Sequence, residues 1–122
     1  MASMTYARVA KHLLSLPGAK LSIKWGDDHC FVVGGKMFAA MGPKRRGPQG
    51  ISFKADEMSF VVLTKKRGIV PAPYLARAHW VSLDRFDRLP DKQLAAYLTR
   101  AHAIVAAKLP KKTRKALGLD AA

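Results

Sequence analysis

Two adjacent glycines, Gly34 and Gly35, constrain the fold of this chain more than any other feature of its sequence. They separate two mainly apolar runs, residues 29–33 and residues 36–41. A two-residue β-hairpin loop needs positive φ angles, which glycine adopts without a steric penalty. The sequence therefore predicts that the two runs are adjacent antiparallel strands.

Segments on either side extend this hairpin into a meander. Upstream, Leu21, Ile23 and Trp25 alternate with polar residues, which is the period of a half-buried strand. Downstream, the loop of residues 42–50 leads into a predicted fourth strand, residues 51–54. Nine residues are many for a hairpin connection, so we expect this loop to project from the sheet.

Three helices are predicted around these strands. The first, residues 6–16, follows Thr5 as its N-cap, and the second, residues 57–67, follows Asp56 in the same role. The third, residues 91–109, carries an apolar stripe with helical spacing. The first and last helices therefore each have a face to pack against the sheet.

Between the last two helices, residues 80–83 are predicted to form a fifth strand, whereas Pro71 and Pro73 are expected to interrupt regular structure. Helices and strands do not alternate as βαβ units. The pattern favours an α+β fold in which the first and last helices pack on one face of an antiparallel sheet of about five strands. The length indicates one domain, residues 1–115, followed by a short tail, residues 116–122.

Charge is the strongest indication of function. The chain carries 22 Lys and Arg against 8 Asp and Glu, a net charge of +14. Because self-repulsion opposes compaction, a polyanionic partner is the simplest reason to carry so much like charge. The cations cluster beside the predicted elements, as expected of a binding surface. The predicted nucleic-acid-binding residues are Lys44, Arg45, Arg46, Lys65, Lys66, Arg67, Arg77, His79, Lys111, Lys112, Arg114 and Lys115.

These cations form three clusters, residues 44–46, 65–67 and 111–115, and the first and last have different predicted roles. The loop of residues 43–49 resembles a wing, with glycine and proline at its base and three consecutive cations at its tip, and such a loop can enter a DNA groove. The C-terminal cluster, residues 111–115, is expected to be a flexible tail that adds non-specific affinity. Trp25 and Trp80 can stack on an unpaired base, although a tryptophan in a strand more often belongs to the core.

Four short motifs resemble the MmcQ/YjbR family in order and approximate spacing. They are Leu16-Pro17-Gly18-Ala19, Gly34-Gly35-Lys36-Met37-Phe38-Ala39, His79-Trp80 and Leu109-Pro110-Lys111-Lys112. The resemblance runs from Tyr6 to Arg114 and implies a compact α+β fold related to the frataxin-like (CyaY-like) arrangement. It also implies DNA binding through a double-wing motif and no known enzymatic activity. Many relatives carry Ser-Tyr where this chain has Ala101-His102, so the resemblance assigns no role to that pair.

The sequence lacks motifs for catalysis, cofactor binding and metal binding. It contains neither a P-loop nor G-x-G-x-x-G, and Cys30 lies in an apolar run where a thiol is normally inert. The four histidines have no metal-ligand spacing. An iron site would need clustered carboxylates, but the adjacent acidic pairs, Asp27-Asp28 and Asp56-Glu57, fit a turn and a helix N-terminus. We therefore expect no enzyme activity, no cofactor and no metal.

The predicted function is that of a non-enzymatic DNA-binding module in a bacterial, cytoplasmic, monomeric protein. The lone cysteine fits a reducing compartment, and no apolar run approaches the ~18–20 residues of a membrane span. Two other functions stay open. The basic surface can bind an acidic protein partner, or a pocket between sheet and helices can bind a small molecule.

Overall fold

Six strands form one antiparallel sheet in the computed structural model, which describes residues 5–24, 28–41, 50–72 and 78–119. The strands are β1 (Ala19–Lys24), β2 (Asp28–Val33), β3 (Lys36–Met41), β4 (Ile51–Lys54), β5 (Ile69–Pro71) and β6 (Trp80–Leu83). The helices are α1 (Tyr6–Ser15), α2 (Glu57–Leu63), α3 (Asp91–Ala107) and α4 (Lys111–Ala116), with one 3-10 turn at Phe86–Arg88. The spatial order is β1-β2-β3-β4-β6-β5, which confirms the predicted α+β class with an antiparallel sheet.

Gly34 and Gly35 form the predicted hairpin between β2 and β3, with φ angles of +57° and +79°. At Gly34 both the positive φ angle and the lack of space for a side chain favour glycine. A Cβ atom added there would lie 2.7 Å from Cδ1 of Leu109, which packs over the turn. Because Leu109 comes two residues after the end of α3, the glycine turn and the end of α3 lie close together.

A β-bulge in this hairpin adds one residue to β3. Phe31 pairs with Ala39 and Val32 pairs with Met37, which leaves Phe38 as the extra residue. Phe38 and Ala39 are consecutive in sequence, yet both are fully buried. The bulge explains this pattern, because it interrupts the alternation that would send neighbouring side chains to opposite faces.

Helices α1 and α3 pack side by side over the sheet. The Thr5 side chain caps α1 by accepting a hydrogen bond from the Arg8 N–H at 3.2 Å, as predicted. Nε2 of His12 donates to the carbonyl oxygen of Ala95 at 3.1 Å and so ties α1 to α3. The largest fully buried side chains include Phe31, Phe38, Phe53, Leu13, Leu94 and Leu98. None of the described helices has the length and apolar character needed to cross a membrane.

The sixth strand lies where the sequence predicted an interruption. Pro71 is the last residue of β5 and pairs with Val81 of β6. The prediction at this position was wrong because β5 lies at the edge of the sheet, with a partner on one side only. An edge strand tolerates the missing N–H of proline.

The C-terminal cations also differ from the prediction. The segment expected to be a flexible tail forms helix α4 (Lys111–Ala116). Pro110 separates it from α3, as predicted for the end of that helix. Leu117 and Leu119 are partly buried against the core and anchor α4 to the rest of the protein. Apolar contacts after the basic run thus order a segment whose composition alone indicates disorder.

The antiparallel strands give the sheet two ends. The end that we call the hairpin end carries Gly34, Gly35, Lys54 and Trp80. The opposite end, called the loop end, carries Met41, Ile51, Leu83 and Ile69. With strands of three to six residues and a rise of about 3.3 Å per residue, these two ends are roughly 10–20 Å apart.

Candidate nucleic-acid interface

The predicted wing lies outside the described residues. Its cations are Lys44, Arg45 and Arg46, and Arg77 also belongs to a segment that is not described. The residues on either side of the wing are described, however. Met41 ends β3 and pairs with Ile51 at the start of β4. The chain therefore leaves and re-enters the sheet at the loop end.

The second basic cluster, Lys65, Lys66 and Arg67, is exposed and lies at the same end of the sheet. It follows α2 and precedes Ile69, the first residue of β5. Only β6 separates β5 from β4 in the sheet, so the start of β5 lies about 10 Å from the start of β4, where the wing ends. The cluster of residues 65–67 therefore lies at the end of the sheet where the chain leaves β3 and re-enters β4.

Helix α2 positions this second cluster. The Asp56 side chain caps the helix by accepting from the Ser59 N–H at 2.7 Å, and this hydrogen bond lowers the pKa of the Asp56 carboxyl. At the other end, the Thr64 hydroxyl donates to the Phe60 carbonyl at 2.7 Å. Gly68 follows with a φ of +81°, where the side chain of Arg88 occupies the space that a Cβ would need.

Arginines neutralise the carboxylates that follow β6. Arg88 donates to both oxygens of Asp84, at 2.6 Å and 2.9 Å, and this pair lowers the pKa of the Asp84 carboxyl. Arg85 holds Asp87 at 2.8 Å. In the part of the chain that the structure describes, the ion pairs use none of the cations of residues 65–67. That cluster therefore presents its full positive charge to solvent.

The C-terminal cluster lies at the other end of the molecule. Lys111, Lys112 and Lys115 are exposed on α4, which begins just after Leu109 has packed over the glycine turn of the hairpin end. The Arg114 guanidinium donates to the carbonyl of Ala107 at 2.9 Å, so this residue connects α4 to α3. The predicted binding residues thus do not form one surface.

His79 and Trp80 also belong to the hairpin end. His79 has a φ of +61°, an unusual backbone conformation for a residue other than glycine. Its half-buried ring lies 5.4 Å from that of Phe60. Trp80 is only 4 % exposed and so belongs mainly to the protein interior. Neither residue lies beside the exposed cluster of residues 65–67.

Sequence reasoning missed a second group of cations at the hairpin end. Lys36, Lys54 and Lys108 line a cleft of about 260 Å³. Lys36 and Lys54 are isolated lysines and Lys108 belongs in sequence with the C-terminal cations that follow it, so no sequence cluster joins the three. They meet because β3, β4 and the end of α3 converge, as in the pairing of Lys54 with Trp80.

Two further histidines have hydrogen-bond partners within the fold, and the cysteine is buried. His29 shares a hydrogen bond with the Tyr6 hydroxyl, and Nε2 of His102 donates to the Pro17 carbonyl at 2.6 Å. Cys30 is buried in β2. Among the described residues, no three His, Cys, Asp or Glu side chains come together as metal ligands would.

Comparison with known proteins identifies the family. The model of the YjbR family matches residues 14–104. No curated protein matches the chain. Its fold is similar to the crystal structure of protein DR2400 from Deinococcus radiodurans, which has the family domain DUF419. The two share 26 % sequence identity and a TM-score of 0.84, over 95 % of this chain and 89 % of that one. Since the family match covers most of its length, this chain belongs to the YjbR family.

Proposed function

We propose that this protein is a non-enzymatic DNA-binding module that contacts duplex phosphates with the loop end of its sheet. One observation carries the proposal. Lys65, Lys66 and Arg67 are exposed without a carboxylate partner among the described residues, at the end where the wing leaves the sheet. Together with Lys44, Arg45 and Arg46 they supply six cations on two neighbouring segments. As part of the same proposal, the protein acts as a monomer in the bacterial cytoplasm.

These cations have a simple way to bind DNA. Lysine and arginine release condensed counterions when they neutralise phosphates, which gives affinity without reading the sequence. The net charge of +14 adds long-range attraction and speeds encounter with the polyanion. Arginines of the wing can also reach base edges or a narrow minor groove, which would supply a sequence preference.

Two matched triple variants test the surface assignment. The loop-end variant replaces Lys65, Lys66 and Arg67 by alanine, and the α4 variant replaces Lys111, Lys112 and Lys115 by alanine. Both remove three positive charges from exposed positions, where such changes alter stability little. Duplex affinity is measured from low to high salt for both variants and the wild type.

The loop-end variant is expected to flatten the slope of log affinity against log salt by up to about 2.7, about 0.9 for each lost phosphate contact. The α4 variant should change the slope by less than about 1, because its charges act only from a distance. Equal changes in the two variants would show that total charge governs binding and would overturn the loop-end assignment.

An acidic protein partner is the second candidate, and one specific observation favours it. On α2, beside the basic cluster, Met58, Val61 and Val62 are 76 %, 47 % and 48 % exposed. An apolar patch of this kind often marks a protein interface. Competition between duplex DNA and polyglutamate at equal charge concentration separates the candidates. Tighter binding of duplex DNA supports the DNA proposal, whereas tighter binding of polyglutamate favours the protein partner. Replacing Val61 and Val62 by serine should leave DNA affinity unchanged.

A further inference from the structure

The cleft at the hairpin end is built by three elements that meet at one point. Strand β3 contributes Lys36 and Met37 just after the glycine turn. Strand β4 ends at Lys54, opposite Trp80 of β6. The last turn of α3 closes the third side, and Leu109 holds it close to Gly34. The walls of the cleft are therefore fixed by regular elements and by the packing of Leu109.

The floor of this cleft is apolar. Trp80 and Leu109 are each about 4 % exposed, while Met37, Ile104 and Val105 are half-buried. Met37, Ile104 and Val105 are partly accessible, so they offer a preformed surface to an apolar group. Ligand pockets commonly combine such a surface with a few charged groups that fix orientation.

The rim is entirely cationic among the described residues that line the cleft. Lys36 and Lys108 are exposed, and Lys54 is half-buried with its ammonium group donating to the Ala78 carbonyl. None of the three takes part in an ion pair of the described residues. Burial and the nearby charge of Lys108 both lower the pKa of Lys54. An anion in the cleft would relieve the repulsion between these ammonium groups.

One effect opposes an anion here. The C-terminal end of α3 lies at the cleft, and a helix C-terminus carries a partial negative charge equivalent to about half an electron. Three full positive charges outweigh it, and one of them, Lys108, is the C-cap residue of the helix itself. The field in the cleft therefore favours a negative group.

We propose that the hairpin-end cleft binds a phosphate monoester that carries one apolar ring. A monoester has a charge of about −1.5 to −2 at neutral pH and three acceptor oxygens, which suits three ammonium groups better than a monoanion does. The apolar floor accounts for the ring. The cleft is slightly smaller than the pockets that enclose drug-sized ligands, which limits the ligand to about one ring. This site is separate from the proposed DNA surface at the loop end.

Phenyl phosphate is the probe, and inorganic phosphate and phenol are its two halves. Binding is measured by calorimetry and by amide chemical shifts of the whole chain. Phenyl phosphate should bind saturably, with shifts concentrated at Met37, Lys54, Trp80 and Val105, and at least about tenfold more tightly than either half. Equal affinity for phenyl phosphate and inorganic phosphate, with shifts spread over many lysines, would overturn the proposal.

Lysine variants locate the charge. Lys36 is exposed, so Lys36→Met tests the site with little risk to folding. Lys54→Met tests the half-buried ammonium group. Each should weaken phenyl phosphate binding about tenfold, the typical loss of one charge-assisted hydrogen bond. The matched control, Lys111→Met, removes a nearby exposed lysine that does not line the cleft and should change affinity less than about twofold. If the control weakens binding as much as Lys36→Met, the cleft is not the site.

A last comparison finds the source of the monoester. A single DNA strand with a 5′-phosphate and the same strand with a 5′-hydroxyl are titrated against the wild type and Lys36→Met. A preference for the phosphorylated strand that disappears in the variant indicates a strand end as the ligand. Equal binding of both strands, with phenyl phosphate binding retained, indicates a free ester. The loop-end variant should keep its affinity for phenyl phosphate, so failure of the DNA proposal would leave this one intact.

Discussion

The two ends of the sheet are both basic but differ in the chemistry around their cations. At the loop end, Lys65, Lys66 and Arg67 stand on an exposed segment, and the nearby Asp84 is neutralised by Arg88. At the hairpin end, three lysines surround an apolar floor. An exposed row of cations suits a long polyanion, whereas cations around an apolar cleft suit a small amphiphilic anion. Net charge alone does not distinguish these two uses.

The largest expected effect is at the glycine turn that supports the hairpin end. Gly34→Ala places a methyl group in a left-handed conformation and 2.7 Å from Leu109. The backbone cost and the overpacking together should lower the free energy of unfolding by about 2–4 kcal/mol. Gly35→Ala is the control, because its φ is also positive but nothing lies within 4 Å of its added methyl group. It should cost about 1–2 kcal/mol.

Urea denaturation measures both variants. If the two glycine variants lose the same stability, the contact between Leu109 and the turn does not support the hairpin end. The Gly34 variant should also lose affinity for phenyl phosphate while its affinity for DNA stays unchanged. That combination would sharpen the distinction between the two ends.

His79 provides a smaller effect at the same end. Its φ of +61° strains any residue with a Cβ atom, whereas glycine adopts this angle freely. His79→Gly and His79→Ala both lose the ring contact with Phe60, and only the alanine variant keeps the strain. The glycine variant should therefore be more stable than the alanine variant by about 1 kcal/mol in urea denaturation. A more stable alanine variant would contradict the strained geometry at this position.

The Asp56 cap links the two ends, because α2 begins near the hairpin end and leads to the loop-end cluster. Asp56→Ala removes the hydrogen bond to Ser59 and should cost about 1 kcal/mol at pH 7. The folded state lowers the pKa of Asp56, so its charged form contributes stability above the unfolded pKa of about 4. That contribution is lost as the pH falls through the lower, folded pKa.

Denaturation at several pH values checks this prediction. The stability difference between wild type and Asp56→Ala should shrink as the pH is lowered below about 4. Asp56→Asn retains a capping oxygen that does not titrate, so it should lie closer to the wild type at pH 7 and should lack this pH dependence. A wild-type advantage that grows on acidification would contradict the assigned cap.

Local signals in the sequence predicted much of the fold. The Gly34 turn, the Thr5 and Asp56 caps and the strand of residues 80–83 each depend on a few neighbouring residues, and each is found in the structure. Strand β5 was missed, since three residues ending in proline carry no strand pattern and gain their order from pairing with β6.

The candidate sites depend more on long-range structure. The cluster of residues 65–67 is a charge run in the sequence, but its position at the loop end of the sheet follows from the strand order β4-β6-β5. Lys36, Lys54 and Lys108 gave no signal as a group, because Lys36 and Lys54 are isolated in sequence and Lys108 belongs with the C-terminal cations. Only the pairing of strands and the packing of Leu109 bring them together. Residues 44–46, the tip of the wing, lie outside the described residues, so the wing itself stays a prediction.

The most direct test of the division between the two ends is a crossed titration. The loop-end variant and a hairpin-end variant, Lys36→Met with Lys54→Met, are each titrated with duplex DNA and with phenyl phosphate at fixed ionic strength. We predict that the loop-end variant loses affinity for DNA alone and that the hairpin-end variant loses affinity for phenyl phosphate alone. Parallel losses of both ligands in both variants would mean that the two basic regions act as one diffuse field, which would contradict separate functions for the two ends.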